Sequence, residues 1–177
     1  MSRSKDSEAS PFVAYLQSIE KRGDRATMAA LRRCLGRELR PSPDAMRVVV
    51  PWLKDDFEDQ RLRHFLVAGL FALHPLPGGH GNFGAVMRQL VDHESACKRF
   101  EALLDADLDQ LPHRLRQALS LAKSKAVPVD WHRLYRDLGQ WGHEKRYIQF
   151  QWAQAYWRPT PGQIQVAPLD AETTSEE

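Results

Sequence analysis

Apolar residues return every three or four positions along most of this 177-residue chain. The longest such series lies between residues 58 and 73 and consists of Leu62, Phe65, Leu66, Gly69, Leu70 and Leu73. A period of three to four places these side chains on one face of an α-helix. The two-residue turns between alternating strands that indicate hairpins are not found. The pattern therefore predicts an all-α fold.

Glycine, proline and N-cap residues divide the pattern into six to nine helices. Helices are expected from Pro11 to Gly23, from Asp24 to Gly36, from a cap at Ser42 or Asp44 through Val50, over 58–73, 82–91 and 95–104, from Leu111 through Ala122, from Asp130 to Gly142, and over 144–157. The segment 46–50 is also rich in β-branched residues, so a strand is the alternative there. We expect an irregular bundle that forms one unit or two small lobes sharing a core.

The two ends of the chain differ in composition from its middle. Residues 1–10 are expected to be a loose leader, residues 11–158 the helical domain, and residues 159–177 an acidic, proline-containing disordered tail. The leader lacks the apolar run of a signal peptide, and no stretch approaches the roughly 20 apolar residues of a membrane span. Cys34 and Cys97 stand in no paired pattern. A reduced, cytoplasmic protein is expected.

Without its C-terminal tail, the chain is more basic than its net charge of +2 suggests. The tail holds Asp170, Glu172, Glu176 and Glu177 and no Lys or Arg, so the rest has 25 basic and 19 acidic residues. Arg supplies 18 of the basic residues, and its planar guanidinium fits phosphate oxygens well. This composition favours an anionic partner.

The helix expected after Asp24 separates apolar from basic side chains. Met28, Leu31 and Leu35 share one narrow arc of its helical wheel. The opposite arc carries Arg25, Arg32, Arg33, Arg37 and Arg40. Such a helix can bury one face and offer the other to a phosphate backbone, although an ordinary solvated face is the alternative.

Further basic residues stand on later helices. On the helix from Leu111, Arg114 and Arg116 flank the leucine stripe on opposite sides, which favours either phosphate contacts or snorkelling around a buried edge. The pairs Lys98–Arg99 and Lys145–Arg146 stand at expected helix starts. Cations there oppose the helix dipole, a cost that a bound phosphate would offset.

Aromatic residues are concentrated near the C-terminal end of the helical region. They are Trp131, Trp141, Phe150, Trp152, Tyr156 and Trp157. Their helical spacing favours a place in the core, and only Trp157, which lies beside Arg158 at a helix end, is expected to be free to stack on bases.

The sequence contains no recognisable catalytic, cofactor or metal motif. The seven histidines form neither HxxxH nor HExxH, and none pairs with a Cys at ligand spacing. The glycines of 78–84 lack the Lys-Ser/Thr that follows in a phosphate loop. The acidic run 55–59 is interpreted as a solvated helix start, with a weak nuclease metal site as the alternative. We expect a non-enzyme without cofactor.

Several short segments stand in the order and spacing of a known family. They are Phe12–Leu16, Ala30–Arg33, Leu70–Pro75, Lys98–Leu104, Val127–Trp131, Asp137–Leu138 with Trp141, Trp152–Ala153 and Tyr156–Trp157. Over residues 11–157 the chain resembles CasB, the small subunit of the type I-E CRISPR Cascade complex.

The resemblance implies an all-helical subunit that has no enzymatic activity and acts in antiviral defence. Its family members sit as a head-to-tail pair inside Cascade, where they line the groove for the guide RNA–target DNA heteroduplex and help hold the displaced DNA strand. The implied partners are other Cascade subunits, a second copy of the chain, guide RNA and target DNA, bound without sequence preference. Because strand exchange against a guide is nearly balanced in energy, phosphate contacts can decide it.

The family's basic surface can be carried over by position. It falls on Arg32, Arg33, Lys98, Arg99 and Arg116, with Arg47 at a further similar position. The pair Lys145–Arg146 matches less well, because the segment before it can be more basic in relatives. Arg37 and Arg114 are added to the expected nucleic-acid-binding set by the helix-face argument alone.

Two other functions are weighed against this one. A helical adaptor would scaffold the complex through protein contacts, its Arg faces meeting acidic subunits, and would not bind nucleic acid itself. A helix-turn-helix regulator would need a short turn and a polar recognition helix, which the sequence does not show.

Overall fold

A computed structural model of the chain describes residues 9–36, 39–54 and 58–159. Within these ranges the helices are α1 (Pro11–Lys21), α2 (Arg25–Arg33), α3 (Pro43–Val49), α4 (Glu58–Leu73), α5 (Phe83–Arg88), α6 (Ala96–Leu104), α7 (Leu111–Ser124), α8 (Trp131–Leu138) and α9 (Tyr147–Trp157), with a 3₁₀ turn at Val50–Trp52. No strand occurs in the described ranges. The all-α prediction is confirmed, and the strand alternative for 46–50 is wrong.

Short polar side chains start several of these helices. The carboxylates of Asp24 and Asp130 accept hydrogen bonds from the backbone amides three residues later, at 3.0 and 2.9 Å. Asn82 caps α5 in the same way. Ser42, rather than Asp44, caps α3. Each such cap contributes about 1 kcal/mol to helix stability, so the sequence sets these starting points locally.

The helix ends predicted from sequence are less accurate than the starts. The helix expected over 82–91 ends at Arg88, and the one expected to reach Gly142 ends at Leu138. In both places the chain continues as turns, because 3₁₀-type bonds close the last residues. The predicted leader up to residue 8 and the predicted tail from residue 160 lie outside the described residues.

The buried apolar side chains form one contiguous cluster to which all nine helices of the described ranges contribute. Helix α4 runs through its middle, and every residue from His64 to Ala72 is buried. A helix that is apolar on all sides must be surrounded by others. Helices α2 and α8 pack against α4, while α5 packs on α9 and α6 on α7. All nine helices of the described ranges therefore share one core.

Helices α5 and α9 cross at very short range. A β-carbon placed on Gly84 would overlap the carbonyl oxygen of Trp152 and lie 2.7 Å from its carbonyl carbon. Asn82 Nδ2 also donates to the carbonyl oxygen of Gln151 at 3.1 Å. The two backbones are therefore in direct contact, and only glycine fits at this crossing.

A buried carboxylate joins α8 to α9. Asp137 is only 3% exposed. Its Oδ2 accepts a hydrogen bond from Trp152 Nε1 at 2.7 Å, and its Oδ1 accepts one from Arg133 Nε at 3.0 Å. Burial raises the pKa of Asp137, while these donors act in the opposite direction. The group is satisfied only while both partners are present.

A second buried polar group lies between α4 and α8. His64 is 3% exposed, and its Nδ1 lies 2.7 Å from the carbonyl oxygen of Gln60. Because that oxygen can only accept, Nδ1 carries the proton and Nε2 accepts from the Tyr135 hydroxyl at 2.9 Å. Arg63 in turn donates to Tyr135 Oη at 3.1 Å and lies 4.4 Å over its ring. A neutral imidazole satisfies this chain of bonds, in keeping with the lowered pKa of the buried His64.

We expect acid to weaken the fold through His64. Burial lowers the pKa of His64 in the folded protein, so below about pH 6.5 the unfolded chain binds the proton more readily. The free energy of unfolding should hold its full value above that pH and fall as the pH drops below it. In His64→Gln, whose amide does not titrate, the loss between about pH 7.5 and 5.5 should be smaller in urea unfolding curves. Equal losses in the two proteins would contradict this assignment.

Candidate nucleic-acid interface

Arg32 and Arg33 form the last turn of α2, and both side chains are exposed. Arg32 Nε donates to the carbonyl oxygen of Ala72 at 3.1 Å. Ala72 lies in the last turn of α4, where carbonyl groups lack helical partners. A cation is stabilised there by the negative end of the helix dipole. The bond uses one of five N–H donors of the guanidinium, so the others can serve a ligand.

Arg116 reaches the same end of α2 from a distant part of the chain. It is exposed on α7, and its guanidinium donates to the carbonyl oxygen of Leu35, in the turn that follows α2. Arg32 and Arg33 in the last turn of α2, together with Arg116 docked on the turn that follows it, are here named the α2 cluster, although 81 residues separate Leu35 from Arg116. Arg37, predicted for this surface, lies outside the described residues.

Lys98, Arg99 and Arg114 form a second group, here named the α6–α7 cluster. Arg99 donates to the carbonyl oxygen of Gln117 at 3.0 Å, which ties α6 to α7. Gln117 lies one turn beyond Arg114 on the same face of α7. Lys98 is exposed, whereas Arg99 and Arg114 are half-buried.

Helix α7 separates the two clusters. Arg114 and Arg116 are two positions apart, which places them about 200° apart around the helix. Arg114 therefore faces the α6 side and Arg116 faces the α2 side. The predicted placement of these two residues on opposite sides of the leucine stripe agrees with this geometry.

Arg47 stands apart on α3. Its side chain is exposed and forms an ion pair with Asp44, one turn earlier, at 3.4 Å. A solvent-exposed pair of this kind contributes little to stability. It does reduce the net positive charge that Arg47 can present to a phosphate.

The sequence predicts that the pair Lys145–Arg146 begins a helix, but in the structure it lies just before one. Helix α9 starts at Tyr147, and Arg146 just before it has a left-handed backbone with φ of 48°. Both side chains are exposed. The Arg146 guanidinium donates to the carbonyl oxygen of Leu104, the last residue of α6. The predicted helix start at 144 is therefore wrong, and the anchor of Arg146 is a helix end.

Four of the predicted arginines thus dock on main-chain carbonyl groups. For Arg32, Arg116 and Arg146 the acceptor lies in the last turn of a helix or just beyond it. Sequence reasoning missed the four anchors, because their acceptors are 18 to 81 residues away and no local spacing marks them. The docking fixes each guanidinium at the surface of a rigid helix bundle.

The aromatic residues divide as predicted, with one exception. Trp131, Trp141, Trp152 and Tyr156 are buried, which confirms their place in the core. Trp157 is 50% exposed, also as predicted. Phe150, however, is 66% exposed, so its predicted core position is wrong.

No metal site is apparent in the described ranges. Among those residues, no group of three or more His, Cys, Asp or Glu side chains lies close enough to hold an ion. His74 is buried, and its Nε2 lies 2.7 Å from the carbonyl oxygen of Val127. The acidic residues Asp55 and Asp56 lie outside the described residues.

No described helix is long and apolar enough to cross a membrane.

Fold and surface together define a class: a small helical protein with a single core and arginines anchored at helix ends. The model of the family described as CRISPR-associated protein Cse2 matches residues 27–157. The CRISPR-associated protein Cse2 of Thermus thermophilus is 37% identical over 153 residues, covering 82% of this chain and 88% of that protein. The chain belongs to the Cse2 family, and the resemblance to CasB is confirmed.

Solved structures agree with this assignment. CasB from Thermus thermophilus superposes with a TM-score of 0.68 at 34% identity, covering 84% of this chain and 98% of that one. A chain of a CRISPR RNA-guided surveillance complex gives a TM-score of 0.67 at 27% identity, with 82% and 87% covered.

Proposed function

We propose that this chain is the small, non-catalytic subunit of a CRISPR RNA-guided surveillance complex and holds nucleic acid there by its phosphates. In this role it stabilises the guide RNA–target DNA heteroduplex and the displaced DNA strand without reading their sequence, in antiviral defence. Its proposed partners are the other subunits, guide RNA, target DNA and a second copy of itself. Membership of the Cse2 family and a relative found within such a complex support this role.

The α2 cluster is the observation that carries the proposal. Two exposed arginines lie in the last turn of α2, a third docks on the turn that follows it, and Arg32 and Arg116 are anchored by carbonyl bonds. An anchored guanidinium loses less side-chain freedom when a phosphate binds, so less of the binding energy is offset. Contacts of this kind act on any sequence, as a holder of an RNA-guided duplex requires.

Removing the α2 cluster should weaken binding to single-stranded DNA equally for all sequences. In fluorescence anisotropy titrations at several salt concentrations, we expect Arg32→Ala/Arg33→Ala/Arg116→Ala to reduce the slope of log affinity against log salt by about 2, since each single-strand phosphate contact contributes about 0.7. Circular dichroism should verify that the variant is folded, because two of these side chains also bridge helices.

A matched control removes the same charge elsewhere. Lys21→Ala/Arg22→Ala/Lys54→Ala changes three exposed cations outside the predicted interface. This control variant should lower the affinity for single-stranded DNA far less than removal of the α2 cluster does. Equal losses in both triple variants would mean that only net charge matters. Absence of binding by the wild-type chain at low salt would move the adaptor function ahead.

A further inference from the structure

Two aromatic side chains stand exposed on the outer face of α9. Phe150 is 66% and Trp157 50% exposed. They are seven residues apart, which is two helical turns, so they share a face and lie about 10 Å apart along the axis. Ala153 lies between them and leaves the space between the two rings open.

This face forms one wall of an apolar groove. Phe150, Ala153 and Trp157 of α9 line it together with Leu104 of α6. Arg146 stands at its N-terminal end, held there by its bond to the carbonyl group of Leu104. Glu101 and Asp105 form the far wall, and their charges would repel phosphate from this side.

A second cleft of different character lies on the other side of Trp157. It shares Ala153 and Trp157 with the apolar groove. Its remaining lining includes Asn82, Arg133, Gln151, Gln154 and Arg158, and the Arg133 guanidinium donates to Asp137 Oδ1 and to Gln151 Oε1 while keeping further N–H groups. Within the described residues, no carboxylate lines this cleft. Guanidinium and amide groups are the donors that proteins use for phosphate oxygens.

The ring of Trp157 lies between these two surfaces and packs against two other aromatic rings. It packs on Phe100 with ring centroids 5.6 Å apart and meets Tyr156 edge-on at 5.0 Å. Both neighbours are buried in the core. An exposed ring that already packs on the core on one side loses less freedom when a flat ligand stacks on its other side.

We propose that the face of α9 that carries Phe150 and Trp157 is a stacking site for unpaired nucleotides. Bases lie over Trp157 and Phe150 in the apolar groove, while the phosphates follow the cleft that contains Arg133 and Arg158. Proteins hold single strands without sequence preference by this combination of aromatic rings and cations. The proposal rests on the nucleic-acid-binding function proposed above and adds to the phosphate clusters a site for the bases of a single strand.

Oligomers that differ only in their bases test the proposal. The probes are an oligothymidylate of about 12 nucleotides and an abasic deoxyribose-phosphate oligomer of the same length. The full chain is compared with Phe150→Leu/Trp157→Leu, which keeps apolar side chains but removes both rings. We expect this variant to bind the thymidylate at least about tenfold more weakly, because it loses the rings on which two bases stack, and to bind the abasic oligomer like the wild type.

Controls separate stacking from loss of structure. Met46→Ala/Val50→Ala removes exposed apolar side chains of α3 and the turn after it, and should leave both affinities unchanged. Phe150→Leu alone changes a side chain that is mostly solvated, so it should leave the melting temperature unchanged. It should still weaken thymidylate binding, though less than the double variant does.

The possible failures are distinguishable. If wild type binds both oligomers equally and the leucine variant does the same, the stacking site is wrong while phosphate binding stands, and the groove belongs to a protein partner. If wild type binds neither oligomer, the stacking site and the nucleic-acid-binding function fail together.

Discussion

Replacing Gly84 with alanine should cost the fold about 3 kcal/mol or more, a large part of the 5–15 kcal/mol that stabilises a typical domain. The added methyl group would overlap the carbonyl oxygen of Trp152, and the atoms it meets are backbone rather than flexible side chain. Helices α5 and α9 would have to separate, which opens the core around Phe83 and Trp152. Urea unfolding monitored by circular dichroism measures the loss.

The matched control is Gly142→Ala. A β-carbon there meets only the side chain of Leu108, whose Cδ1 lies at 3.2 Å and can turn away. We expect a change within about 1 kcal/mol, as for other substitutions whose neighbours can adjust. A Gly84→Ala variant as stable as this control would mean that the α5–α9 crossing is not as close as described.

Trp152→Ala should be at least as damaging, at about 3–5 kcal/mol from the lost packing alone. The side chain is fully buried, and its ring lies 5.4 Å from that of Phe83 and 4.9 Å from that of Trp141. Its loss also leaves Asp137 with one hydrogen-bond donor fewer, which costs about 1–3 kcal/mol more. The variant should be largely unfolded at 37 °C, as thermal melting would show.

Trp152→Phe separates the two contributions. It keeps an aromatic ring but removes the N–H that donates to Asp137. Since burial already raises the pKa of Asp137, losing this donor should raise it further. The deficit of Trp152→Phe should therefore shrink toward acid pH, where the carboxyl group binds a proton. A deficit that is constant with pH would mean that packing alone accounts for the loss.

The helices were predictable because their signals are local. Asp24, Ser42 and Asp130 cap helices from positions next to apolar periods, and their acceptor oxygens need only the amide three residues on. The core stripe of α4 repeats at three and four residues. In such segments the chain's own spacing sets the structure, and tertiary contacts only reinforce it.

The candidate interface was predictable only in composition. Arg32, Arg33 and Arg116 were expected to be basic surface, but the docking of Arg116 on the turn after α2 depends on how α2 and α7 pack. Phe150 shows a sharper failure. Its neighbour Gln149 is buried and donates to the carbonyl oxygen of Trp141 at 2.9 Å, while the phenyl ring is exposed. Residue polarity alone predicts the reverse.

The docked arginines also connect the protein surface directly to the backbone of the helix bundle. Each of Arg32, Arg116 and Arg146 links the end of one helix to another part of the chain. Under the function proposed above, a nucleic-acid strand that pulled on such a guanidinium would also pull on a helix end, and the tension would be transmitted into the bundle. Lysine would preserve the charge at these positions but would lose the planar fork that can hold a carbonyl group and a phosphate together.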